Sequence, residues 1–103
     1  MPPNEAGVDD EIMTRKVRIP EHVVHRAFPA EMVVLNLNTG QYHGLNPTAG
    51  RMLELMTECA SVAEAVDRVA REYDQPQEEV EKDIRKLCAG LLDRGLIELD
   101  GGP

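Results

Sequence analysis

Apolar residues recur at a period of two before Asn46 and at a helical period after it, so the chain reads as strands followed by helices. Lys16-Val17-Arg18-Ile19-Pro20 alternates polar and apolar residues until Pro20 stops it. Three further strand candidates follow: Val23 to Phe28, Met32 to Leu37, and Gln41 to Leu45. Pro29-Ala30-Glu31 is the first turn between them. Asn38-Thr39-Gly40 is the second, a hairpin connection containing glycine. Gly44 interrupts the last strand and leaves no side chain where another backbone can approach. These segments predict a three-stranded antiparallel meander whose third strand ends at an edge.

The second half carries three helix signatures. Asn46 is an N-cap with Pro47 at the first helical position, and Ala49, Met52, Leu53 and Met56 then share one face. Ser61 with Glu64 forms a capping box ahead of the stripe Val62, Val66, Val69, Ala70 and Tyr73. Gln75-Pro76 opens the longest helix, whose stripe is Val80, Ile84, Leu87, Cys88, Leu91 and Leu92, and Gly95 ends it. Leu96-Ile97-Glu98-Leu99 then closes the domain as an extended tail. The fold class is therefore α+β: a β-meander followed by three α-helices, winged helix-turn-helix-like in its second half. Residues 1–14 are rich in Pro, Gly and acids without periodicity, and are expected to be a disordered tail ahead of a single domain at 15–100.

Composition narrows the function. At 103 residues there is surface for one core. With 42% hydrophobic residues but only 3% aromatic, that core is aliphatic and is not expected to enclose a large cofactor; none is predicted. The formal net charge of −8 opposes binding to phosphates or to anionic lipid. Cys59 and Cys88 lie far apart with no CxxC pair, which fits small buried side chains better than a disulfide framework or a zinc site. No apolar run approaches the ~20 residues of a membrane span. The start of the chain has neither the basic residues nor the apolar stretch of a signal peptide, so a cytoplasmic location is expected.

No catalytic constellation emerges, and the chain is not expected to be an enzyme. His25 and His43 are placed to meet across the sheet, but no carboxylate or cysteine lies beside them at ligand spacing, so no metal site is predicted. Ser61 is explained as a cap, and no Gly-rich phosphate loop exists.

The segment Val34-Leu35-Asn36-Leu37-Asn38-Thr39-Gly40-Gln41-Tyr42-His43-Gly44-Leu45-Asn46-Pro47-Thr48 resembles the PqqD-like family of peptide chaperones, the RiPP recognition elements. Within that family the chain is most similar to the small stand-alone proteins of lasso peptide biosynthesis. The likeness runs from about Val17 to Leu99, with a weaker pattern between Tyr73 and Glu98. Ala49-Gly50 reverses a pair common in the family, and Met52-Leu53 stands where an aromatic residue is usual. The resemblance implies binding of a precursor's leader peptide as an added strand on the third strand, with apolar side chains in a groove beside the last helix. It also implies delivery to a separate leader peptidase, a transglutaminase-like cysteine protease, and then to a cyclase.

The residues support such a mechanism in their own right. An open strand edge binds a peptide backbone with little regard to sequence, so specificity must come from pockets for alternate side chains. The edge is expected at Gln41, Tyr42, His43, Gly44 and Leu45. Val80, Ile84 and Leu87 are expected on the helical wall, Val33 and Leu35 beneath, and Asp83, Lys82, Arg85 and Lys86 beside polar groups of the peptide or of the partner enzyme. Two other readings remain open at this point. One is a winged-helix DNA-binding regulator, disfavoured because the acids of the last helix (Glu78, Glu79, Glu81, Asp83, Asp93) outweigh its bases (Lys82, Arg85, Lys86, Arg94). The other is a constitutive scaffold subunit of the processing enzyme.

Overall fold

The computed structural model describes residues 12–100. Five strands and three helices follow in order: β1 (Lys16–Arg18), β2 (Val23–Ala27), β3 (Met32–Asn36), β4 (Tyr42–Leu45), α1 (Pro47–Glu58), α2 (Val62–Tyr73), α3 (Gln77–Asp93) and β5 (Glu98–Asp100). The expected meander is present as an antiparallel sheet in the order β2-β3-β4. β3 alternates cleanly: Met32, Val34 and Asn36 are buried against the helices, while Val33 and Leu35 are half-buried on the outer face.

The turn between β3 and β4 depends on a residue the alternation passes over. Asn36 is buried, and its Oδ1 accepts from the backbone N–H groups of Asn38 (2.9 Å) and Thr39 (3.3 Å). That holds the chain in position to reverse at Gly40, whose φ of 75° lies in the left-handed region that glycine enters without strain. The Asn36 N–H then donates to the Gln41 carbonyl at 2.9 Å, which fixes the register of β4.

The helices start where side-chain caps place them. Asn46 Oδ1 accepts from the Ala49 N–H at 2.8 Å, and Ser61 Oγ accepts from the Glu64 N–H at 3.2 Å. The reciprocal Glu64 carboxylate reaches the Ala60 N–H rather than that of Ser61. α3 ends in a Schellman arrangement: Gly95 has φ 70°, and the buried Leu96 donates its N–H to Leu91 O at 2.9 Å. Between these ends Leu53, Leu55, Met56, Val62, Val69 and Ile84 are fully buried. Each such aliphatic side chain contributes about 1.5–3 kcal/mol by leaving water, and Val17, Val23, Met32 and Val34 of the strands join the same core.

Three expectations change. Leu96 to Leu99 is not a free tail: Leu96 and Ile97 enter the core, and β5 pairs antiparallel with β1 through Val17 opposite Leu99. Strands this short carry too little periodicity to announce a partner at the other end of the chain. Arg18 adds ion pairs to Glu98 and to Asp100 (2.7 Å) across this ladder, and Lys16 Nζ donates to the carbonyls of Thr57 and Cys59 (2.8 Å) past the end of α1. Most of the segment expected as a tail, residues 1–11, lies outside the described residues. Its last part is ordered, because 12–14 form a helical turn that buries Ile12 in the core. Finally, His25 and His43 do not meet: both stand opposite Val34, on β2 and β4, with β3 between them.

Candidate peptide-binding edge

The register of the sheet determines which backbone groups of β4 are free. Asn36 and Gln41 form a hydrogen-bonded pair, so by antiparallel alternation Val34 with His43 and Met32 with Leu45 do as well. Tyr42 and Gly44 are the non-bonded positions, and their N–H and C=O groups point away from β3. They form a short row of donors and acceptors along an edge with no strand beside it among the described residues. Gly44 keeps the row low; a Cβ there would meet the carboxylate of Glu31, the mobile end of a long side chain.

Beside this edge lies a cavity of about 250 Å³. His43, Gly44 and Leu45 form one wall, and Lys86, Leu87, Gly90, Leu91 and Arg94 of α3 form the other. A second cavity, of about 280 Å³, lies nearer the start of α3, where Thr48, Met52, Tyr73, Glu79, Val80 and Asp83 are among its lining. Helical spacing sets the two on one side of α3: residues 79, 83, 87, 90 and 94 fall on one stripe. The groove is thus apolar at its floor and charged at its rim.

The residues singled out in the sequence divide between two faces of the sheet. His43 and Leu45 point toward the helices and into the first cavity with Leu87. Tyr42, Val33 and Leu35 lie on the opposite face, where Leu35 is the register partner of Tyr42 and Tyr42 is 71% exposed. A strand laid along β4 would send alternate side chains to each face, so both groups would flank it. Gln41 belongs to the turn, its N–H held by Thr39 Oγ1 at 3.2 Å. Val80 borders the second cavity although nearly all of it is buried, and Asp83 is exposed at the same rim. Ile84 has no accessible surface; it belongs to the core beneath the groove and lines neither cavity. Gly90, Leu91 and Arg94 were not singled out for the site, yet they follow Leu87 at helical spacing, and that was the available signal.

The two cysteines are poor nucleophiles. Both cysteines are buried and free; burial pushes the Cys88 thiol up to about 11 and raises that of Cys59 as well, so both hold their protons at neutral pH. Cys88 Sγ packs 3.3 Å from Met56 Sδ. Among the described residues no His, Cys, Asp and Glu cluster could hold a metal ion, and no helix is long and apolar enough to cross a membrane.

A small α+β domain with an open edge strand and a helix-lined groove beside it is a peptide-binding type of architecture. Residues 31–97 match the family model of coenzyme PQQ synthesis protein D (PqqD), and the chain belongs to that family. Two solved structures share the fold. One, described as TbiB1 in complex with the TbiA(beta) leader peptide, is 33% identical with a TM-score of 0.71, over 79% of this chain and 94% of that one. The other, a lasso peptide synthetase B1 complexed with the leader peptide, has a TM-score of 0.73 over 81% of this chain and 98% of that one; at 24% identity it speaks for the fold alone. No curated protein sequence matches the chain.

Proposed function

We propose that this protein binds the leader segment of a ribosomally made precursor peptide, of the lasso type, and carries it to enzymes that act on it. The leader adds as a strand to β4, exchanging hydrogen bonds with the backbones of Tyr42 and Gly44. Its side chains alternate between the Leu45–Leu87 cavity and the outer face beside Tyr42, Val33 and Leu35. The observation that carries this reading is the open β4 edge standing directly beside a groove on α3. The 33% identical neighbour, solved with a leader peptide, supports the choice of ligand. The protein itself performs no chemistry; a separate leader peptidase, a transglutaminase-like cysteine protease, and then a cyclase receive the peptide.

Titration of the isolated protein with the leader half of the precursor encoded beside it tests this directly. Binding at micromolar affinity or tighter is expected, without any enzyme present. Binding seen only after the peptidase is added would favour the scaffold reading. Tight, salt-sensitive association with duplex DNA and none with the leader would favour the regulator instead.

A further inference from the structure

Charge is not distributed evenly along the α3 groove. Glu79 and Asp83 border the cavity near the start of the helix, and Lys86 and Arg94 border the one beside β4. The second pair stands out because two cations share one cavity lining that contains no acid. Elsewhere in this chain of net charge −8 several cations are engaged: Arg18 by Glu98 and Asp100, Arg51 by Glu54 and Glu72, Arg71 by Asp67, Arg85 by Glu81, and Lys16 by backbone carbonyls. Lys86 and Arg94 make no ion pair or side-chain hydrogen bond among the described residues, although acids outnumber bases in the chain. The Arg94 guanidinium lies over Gly90, with Nη1 3.4 Å from where a Cβ would stand, an ordinary contact distance.

The helix macrodipole accounts for part of the pattern, since it favours Glu79 in the first turn and Arg94 at the end. It does not account for Asp83 or Lys86, which lie beyond the first turn and before the last. Between the two cations Leu87 and Leu91 supply the apolar part of the cavity lining. A carboxylate reaching this cavity finds two cations and no acid in its lining; the Glu31 carboxylate lies beside Gly44 on the other face of β4.

We infer that the cavity between β4 and the second half of α3 is a subsite for an acidic side chain of the bound peptide, held by Lys86 and Arg94. Glu79 and Asp83 repel an acid at the other end, so the order of charge along the groove selects the register and direction of the strand. Backbone pairing supplies neither, because it is indifferent to sequence. This inference rests on the leader-binding reading and adds the chemical feature by which a leader is chosen.

A charge-swap experiment separates the two. The probe is the fluorescently labelled leader half of the precursor encoded beside this chain, with variants in which each Asp or Glu becomes Lys. Lys86→Glu combined with Arg94→Glu is expected to weaken binding about ten-fold, with the circular dichroism spectrum unchanged. Arg71→Glu makes the same kind of charge change away from the groove and is expected to change affinity less than about two-fold. One acid-to-Lys peptide variant should regain affinity for the double variant while losing it for the native protein. Unchanged affinity in the double variant, a loss that no peptide variant recovers, or a leader that binds but contains no acid would overturn the subsite. Failure of the leader to bind the native protein would instead overturn the reading beneath it.

Discussion

The sheet has two open edges with similar backbones. By the same alternation that frees Tyr42 and Gly44 on β4, the N–H groups of His25 and Ala27 on β2 point away from β3. Their surroundings differ. A cavity of about 260 Å³ adjoins the β2 end of the sheet, lined by Ala27, Phe28, Met32, Gly50, Arg51 and Glu54 among others, and α3 contributes nothing to it. Its one arginine is already held by Glu72 in a two-point ion pair of 2.7 and 2.9 Å. β2 also keeps side chains at every position and is followed by Pro29, features that discourage a further strand. β4 has Gly44 in its middle and beside it a cavity of mixed polar and apolar lining, where Lys86 and Arg94 have no ion-pair partner among the described residues. Hydrogen-bonding capacity is therefore common to both edges; in the proposed function it is the helix beside β4 that distinguishes that edge as the site.

The largest effect is expected from removing that helix's anchor. Ile84→Asp would place a carboxylate in a fully buried position, costing more than about 4 kcal/mol, and chemical denaturation should find the protein largely unfolded. It tests the core that positions the groove and cannot serve as a probe of the groove surface. The two edges are compared most sharply by placing a proline on each. Gly44→Pro removes an N–H that takes no part in the β3 ladder, so the fold should persist while leader affinity falls roughly thirty-fold. His25→Pro removes the equivalent outward N–H on β2 and should change leader affinity less than about two-fold. Equal losses in both variants would erase the distinction between the edges.

A smaller effect, on stability alone, is expected where α1 crosses the sheet. A Cβ at Gly50 would stand 3.0 Å from the Cβ of Met32, a contact neither backbone can easily relax. Gly50→Ala should therefore destabilise by about 1–2 kcal/mol in spite of alanine's helix propensity, which works in the other direction by about 1 kcal/mol. Leader affinity at β4 should be unaffected in the fraction that remains folded. A stabilised Gly50→Ala protein would show that α1 sits farther from the sheet.

How much of this could be read from the sequence depended on how local the signal was. The caps at Asn46 and Ser61, the stop at Gly95 and the strand turn at Gly40 each act over three or four residues, and each held. The β1–β5 pairing joins segments of three residues from opposite ends of the chain, and no short-range pattern encodes it. Ile12 was passed over because its neighbours are polar, although it packs in the core. At the site, the period of two placed Tyr42 on the β4 edge but did not say which face its side chain takes. The pleat puts its ring on the face away from the helix groove, beside Leu35. Ile84 and Leu87 lie on one apolar stripe of α3; only the approach of β4 decides that Ile84 is covered and Leu87 is at the rim.

Amide hydrogen exchange, residue by residue, with and without the leader peptide tests the central claim most directly. Strand addition at β4 predicts that the leader slows exchange at Tyr42 and Gly44, whose N–H groups face the open edge, and leaves His25 and Ala27 unchanged. Slowing at His25 and Ala27 with none at Tyr42 and Gly44 would put the peptide on the other edge and contradict the account.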